Sequence, residues 1–227
     1  MILHSGFLRV AEGRRDLSVF RRYTHVLSLL DMVHHERLTL LSPRQWYDQN
    51  DSFGLELYGQ RHGGVSIYAL CLAEAPEHAH HWQIFANHTH GLCVQFHREA
   101  LLGHLGGFAD HVLHGPVEYM NLKKIRALEP IPTERLPFLK RDTFKSEDEY
   151  RILAWQKADA RTEALTLPLP LELISKVVFG PSMPRALADT LRDQIKLKPA
   201  THHIQFSISR LSNNESWRDA ILDGIGE

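Results

Sequence analysis

The sequence predicts an α+β fold: a single domain with one mixed or split β-sheet of about seven or eight strands and three to five helices. Three observations predict it. Short runs with period-2 alternation recur along the whole chain, and stretches with helical spacing stand between them instead of filling a separate half. The length is the third, since 227 residues with 43% hydrophobic content suffice for one sizeable core and are short for two. An N-terminal arm, residues 1–17, is expected to close at the turn Gly13-Arg14-Arg15-Asp16, leaving 18–227 as the domain.

Each element has its own signal. Ser18 to Tyr23 reads as a short strand. Val26, Leu29, Leu30 and Val33 have the i, i+3, i+4, i+7 spacing of an amphipathic helix, which should end near His34-His35-Glu36. Arg37 to Leu41 is a second strand, stopped by Ser42-Pro43. Val65 to Ala73 is almost continuously apolar, as expected of a central strand covered on both faces. Glu77 to Ala86 follows as a helix with Ala79, Trp82 and Ala86 on one side. After the turn Asn87 to Gly91, a strand over Gly91 to His97 turns Leu92, Val94 and Phe96 inward. Val112 to Met120 suggests two short strands around Gly115-Pro116, and the prolines at 130, 132 and 137 exclude a long helix before Phe138. Beyond a charged turn, Lys157 to Glu163, strands are predicted at Ala164 to Leu167, Ile174 to Gly180 and His203 to Arg210. Ser182 and Pro184 start a helix over Arg185 to Lys196.

Charge and cysteine usage narrow the partners. Lys plus Arg number 26 against 27 for Asp plus Glu, so no global field draws the chain to nucleic acid or anionic lipid. The basic patch Asn121 to Arg126 is short and has no interleaved aromatics, so nucleic acid is not indicated. Cys71 and Cys93 each lie in an apolar strand-like run, outside any CxxC, which suits buried thiols in a reducing cytoplasm. The first residues lack a basic start with a long apolar core, and no stretch of about 18 apolar residues occurs. A cytoplasmic protein without a membrane partner is the expectation.

Two groups resemble metal ligands by type. His78, His80, His81, His88, His90 and His97 lie close together in sequence, and Asp48, Asn50 and Asp51 form an acidic loop. Neither has HExxH, paired CxxC or EF-hand spacing, so no metal set is assigned; solvated and capping histidines, and turn-forming acidic side chains, are the default.

The stretch with the most chemistry is Phe138 to Trp155, FLKRDTFKSEDEYRILAW. Alternation puts Glu147, Glu149 and Arg151 on one strand face, with Tyr150, Ile152 and Ala154 on the other. Two readings stand side by side. One is an amphipathic strand carrying ordinary surface charges. The other is a carboxylate pair beside Lys140 and Arg141, able to bind a polar substrate at the mouth of a cleft.

Four segments also resemble the bacterial family called domain of unknown function 2971 (DUF2971), over most of residues 20–211. They are RLTLLSPRQWYDQND, HHWQIFANHTHGLCVQF, FLKRDTFKSEDEYRIL and ISKVVFGP. Many relatives read Asn-Asp-Pro where this chain has Asn50-Asp51-Ser52. The early strand-helix-strand order and the later Glu-x-Glu entering a strand further resemble the split sheet of ADP-ribosyltransferases, which implies NAD as a cofactor. By that resemblance Arg21 or Arg22 would contact phosphate and Tyr23 or Trp46 would stack on a ring. Glu149 would be the catalytic carboxylate, with Glu147 assisting, and Asp51, Trp82, Lys140, Arg141 and Arg151 would complete a ligand site. The function expected is an enzyme acting on a nucleotide or phosphorylated ligand, of NAD-dependent transferase or glycohydrolase type. The alternative is a non-enzymatic binding module in which the same charges are structural.

Overall fold

A computed structural model describes residues 18–86, 89–157 and 162–225. The expected arm at 1–17, part of the 87–91 turn including His88, and most of the charged turn after Lys157 lie outside the described residues.

The chain opens with β1 (Val19–His25), α1 (Val26–His35) and β2 (Arg37–Leu41). It continues with α2 (Gln49–Arg61), β3 (Val65–Ala73), α3 (Ala79–Phe85), β4 (Gly91–His97) and α4 (Arg98–Gly106). Then come β5 (Val112–Pro116), β6 (Glu118–Met120), α5 (Leu122–Arg126), β7 (Leu139–Arg141), β8 (Glu149–Lys157) and β9 (Ala164–Pro168). The last elements are β10 (Ile174–Phe179), α6 (Arg185–Lys196), β11 (Gln205–Ile208) and α7 (Glu215–Ile225). The class is α+β with a mixed sheet, and it holds more strands and helices than the sequence pattern predicts. Nine strands form the main sheet and the parallel pair β6–β7 forms a small second one.

Alternation explains why both sheet faces are dry. Phe20 of β1, Tyr68, Leu70 and Leu72 of β3, and Leu92, Val94 and Phe96 of β4 join the largest apolar cluster with α1 residues Leu29 and Met32. Their neighbours in sequence point the other way. Tyr23, Ala73, Cys93 and Val178 pack with Trp82 of α3, while Ile67, Ala69 and Leu153 pack with Leu55 and Tyr58 of α2. Helix α3 therefore buries His81 beside Trp82, and Ala79 is left exposed instead of lying on the inner side.

The sheet forks at β3. One of its edges pairs with β8 along its full length, from Val65↔Lys157 to Ala73↔Glu149. Its other edge meets β1 at a single pair, Arg21↔Ala73, and β2 at a single pair, Leu41↔Ala69. From there β1 continues into β4, β10 and β11, and β2 into β9. Cys71 thus stands between the two branch points.

Candidate functional site

Two groups of charged side chains flank the fork. The first is assembled by α2, β7 and β8. Asp48 caps α2 by accepting the Asn50 backbone N–H at 3.1 Å, which sets the helix start and puts Asp51 in its buried first turn. Glu147 ends a 3-10 turn (Asp142–Glu147), Asp148 takes a left-handed conformation at φ 44°, and β8 begins at Glu149. Lys140 comes from the middle of β7.

Arg151 has every donor engaged. Its Nε and Nη2 donate to the two Glu149 oxygens at 2.7 and 3.0 Å, and Nη1 and Nη2 donate to the two Asp51 oxygens, both at 2.9 Å. Nη1 also donates to the Pro137 carbonyl at 2.8 Å, so all five N–H groups of the guanidinium have acceptors. The Trp46 ring lies over it at 5.2 Å. Lys140 Nζ meets three carboxylates, with Glu149 at 3.0 Å, Asp51 at 3.4 Å and Glu147 as a close third partner. Tyr119 Oη accepts the Glu149 backbone N–H at 2.9 Å, and His81 Nε2 lies 3.0 Å from the Glu147 carbonyl oxygen.

The titration behaviour follows from this packing. Burial pushes Glu149 up, but Arg151 and Lys140 outweigh it and hold the carboxyl at about 2. Glu147 is shifted upward because burial exceeds the single cation it shares. Burial lowers Lys140, yet Glu149, Glu147 and Asp51 together raise it.

This arrangement corrects several expectations. Glu147, Glu149 and Arg151 are 6%, 3% and 0% exposed, so the solvated-strand reading fails for them. Asp51 is a buried ion-pair partner and not a turn former, because α2 begins two residues before it. Arg141 does not join Lys140 at the carboxylates; it points outward to Asp48 at 3.4 Å, half of its side chain exposed. No group of three metal-ligating side chains converges among the described residues. The pairing of Asp51 with Arg151 spans 100 residues and has no local signal in the sequence, and neither does the part of Tyr119.

The second group belongs to β1 and α3. Arg21 is buried and donates to the Ala75 carbonyl at 3.2 Å. Tyr23 is buried, stacks on His81 with centroids 4.9 Å apart, and meets Trp82 edge-on at 5.1 Å. Trp82 Nε1 donates to Glu77 at 2.7 Å. A hollow of about 10 Å³ lies here, lined by Arg21, Tyr23, Glu77 and Trp82 among others, with room for one water at most. A wider one of about 370 Å³ lies against the start of α7, and neither is lined by Glu147 or Glu149.

Arg22 is the outlier. It sits at the fork, half-buried, and donates through Nη1 to the Cys71 carbonyl at a long 3.4 Å. Its buried Nε has no partner among the described residues. Burial pushes its pKa down, the Cys71 thiol opposing only in part, so its charge sits where water solvates it poorly.

Together these features define an α+β protein with a forked mixed sheet, a saturated ion cluster, and a cation, Arg22, without a carboxylate partner among the described residues. No family model and no curated protein matches the chain. Its fold is similar to solved structures of Thermus sp. 2.9 DarT. The complex with ADP-ribosylated ssDNA has 8% identity and a TM-score of 0.44, covering 86% of this chain and 95% of that one. The carba-NAD+ complex has 9% identity and a TM-score of 0.39, covering 86% and 97%. The NAD+ complex has 10% identity and a TM-score of 0.39, covering 86% and 96%.

Proposed function

We propose that the protein binds a phosphorylated, nucleotide-type ligand at the fork of its sheet, with NAD the first ligand to test and an NAD-dependent transferase or glycohydrolase the reaction class. The observation that carries this reading is Arg22, a poorly hydrated guanidinium with no carboxylate partner among the described residues. A phosphate offers two oxygens in the geometry a guanidinium prefers and offsets the cost of holding the charge away from water. Tyr23, next along β1, projects to the other face of the sheet and stacks on His81, so it is not part of this site. In the transferase version Glu149 is ionised throughout the physiological range, and its charge would favour the oxocarbenium-like state formed as nicotinamide leaves. Glu147, Lys140 and Arg151 would fix its position. The fit of this ligand to the family that the sequence resembles, DUF2971, belongs to the same proposal.

A second reading has its own support. Both Glu149 oxygens are already engaged by Arg151 and Lys140, which suits a non-enzymatic module in which these charges hold α2, β7 and β8 together. Titration calorimetry with NAD, ADP-ribose and ATP, followed by a nicotinamide-release assay, separates the two. Binding that weakens about tenfold or more in Arg22→Ala supports the ligand site. Release that disappears in Glu149→Gln while the variant stays folded supports the enzyme. Binding without release favours the module, and no heat with any of the three ligands refutes the site at Arg22.

A further inference from the structure

Helix α3 presses a histidine against the turn that carries Glu147, and the ligand reading at Arg22 makes no use of it. His81 is 0% exposed, and its Nε2 lies 3.0 Å from the Glu147 carbonyl oxygen. A carbonyl only accepts, so Nε2 carries the proton and Nδ1 is left as the bare acceptor. That Nδ1 is buried, with no hydrogen-bond partner among the described residues. The ring faces are covered too. Tyr23 of β1 stacks on the imidazole at 4.9 Å, and Phe85, one turn along α3, stacks at 6.2 Å. The slot therefore takes a neutral ring in one tautomer and has no acceptor for a second N–H.

We propose that His81 is a proton-operated latch: neutral, it fastens α3 to the turn before β8, and on taking a second proton it leaves its slot and frees both segments. The second proton would put a charge where water does not reach and a donor where no acceptor stands. The surrounding groups do little to relieve that cost. His78 and His80 of the same segment, with ring centroids 5.9 and 6.2 Å away, oppose a further cation. Tyr23 on β1 and Cys93 on β4 stay neutral, burial pushing both upward. Arg21 and Glu77, which line the small hollow with Tyr23, are opposite in sign. The Glu147 carboxylate is engaged by Lys140, and Asp148 favours the charged ring, yet burial outweighs it and holds His81 below its usual value. The closed state thus binds fewer protons than the open one. Closure is strongest above about pH 6.5 and weakens as the pH falls, by about tenfold over the first unit. The released turn is the one that brings Glu147 to Lys140, so mild acid loosens that side of the ion cluster while Arg151 keeps its partners.

Hydrogen exchange of the full chain, read by mass spectrometry at about pH 7.5 and 5.5 and corrected for the intrinsic pH dependence of amide exchange, tests the latch. Protection of residues 79–85 and 142–148 should fall about tenfold in wild type, while that of β3 holds. His81→Gln keeps a donor for the Glu147 carbonyl but takes no proton, so its protection of both segments should not change with pH. His80→Gln leaves the latch in place and should show the wild-type fall. An NMR titration of the assigned His81 ring in wild type is a second readout that needs no variant. The ring should stay neutral below its ordinary value of 6.5 and gain its proton only as the two segments open. The latch is overturned by wild-type protection that does not change with pH, or by a fall that persists in His81→Gln. A ring that is protonated near pH 6.5 while both segments stay protected overturns it equally, and decides the matter if His81→Gln does not fold.

Discussion

Two arginines lie on either side of β3, poorly exposed to water, and the structure treats them in opposite ways. Arg151 is wholly buried with five donors and five acceptors, two buried carboxylates gripping it from α2 and from its own strand. Arg22, at the fork, has a single long bond to a carbonyl. The first cation is neutralised by the protein; the second is held in poor solvent without an anion from the described residues. A saturated charge has nothing left to offer a ligand, whereas an unsaturated one is held at a cost that a ligand can relieve. The more conspicuous cluster in the sequence is thus the one whose charges are already paired within the protein.

The sharpest way to break this comparison is to replace both arginines with methionine, which keeps most of the stem packing. Arg151→Met strands Glu149 and Asp51 together in the interior, sharing only Lys140, and should lose about 3–5 kcal/mol of stability in urea unfolding. Arg22→Met removes a charge with no counter-charge to strand and should stay within about 1 kcal/mol of wild type. Equal losses would show that both are structural.

The pH dependence sharpens the same contrast within the cluster. Glu149 falls from an ordinary value of 4.5 to about 2, so its ionised form stabilises the fold. That contribution is complete above about pH 5 and is lost as the pH falls toward 2, roughly 3 kcal/mol in all. Glu147 is shifted upward, so its ionisation works against folding, and its stabilising form is lost as the pH rises. Stability measured by urea unfolding from pH 7 down to 2 should therefore drop steeply in wild type and in Glu147→Gln. In Glu149→Gln it should start lower and fall less. An unchanged slope in Glu149→Gln would mean that the carboxyl is not held ionised by Arg151 and Lys140.

What the sequence discloses of this arrangement depends on the range of the contacts. Strands β3 and β4 and helices α1 and α6 can be read within a residue or so, because periodicity is local and each buries one stripe or two faces against a single core. Helix α2 cannot, since QNDSFGLELYGQR is rich in residues that favour turns. Its glycine at position 59 is required from outside the helix, because a Cβ there would stand 2.5 Å from the Val65 carbonyl oxygen of β3. Helices α4 and α7 are likewise absent from the sequence reading. The facing of Glu149 and Arg151 follows from alternation, whereas Glu147 lies in a 3-10 turn before β8 and reaches Lys140 from there. Their burial does not, because the partner carboxylate of Arg151 comes from a helix that the pattern does not announce. The isolation of Arg22 is equally invisible, being a consequence of where the sheet divides.

The smallest effect concerns how that helix is started. Asp48 caps α2 and so fixes the turn that presents Asp51 to Arg151 and Lys140; its contact with the exposed Arg141 adds little. Asp48→Ala should lose about 1 kcal/mol, the ordinary cost of an N-cap, because the four charges that Asp51 shares its site with still hold the first turn in place. Double-mutant analysis with Asp51→Asn then tells whether cap and cluster act together. Losses that add within about 0.5 kcal/mol would make the cap a local feature of α2. A loss for Asp48→Ala well above 1 kcal/mol, vanishing once Asp51 is neutralised, would instead make the exposed loop a support of the buried cluster.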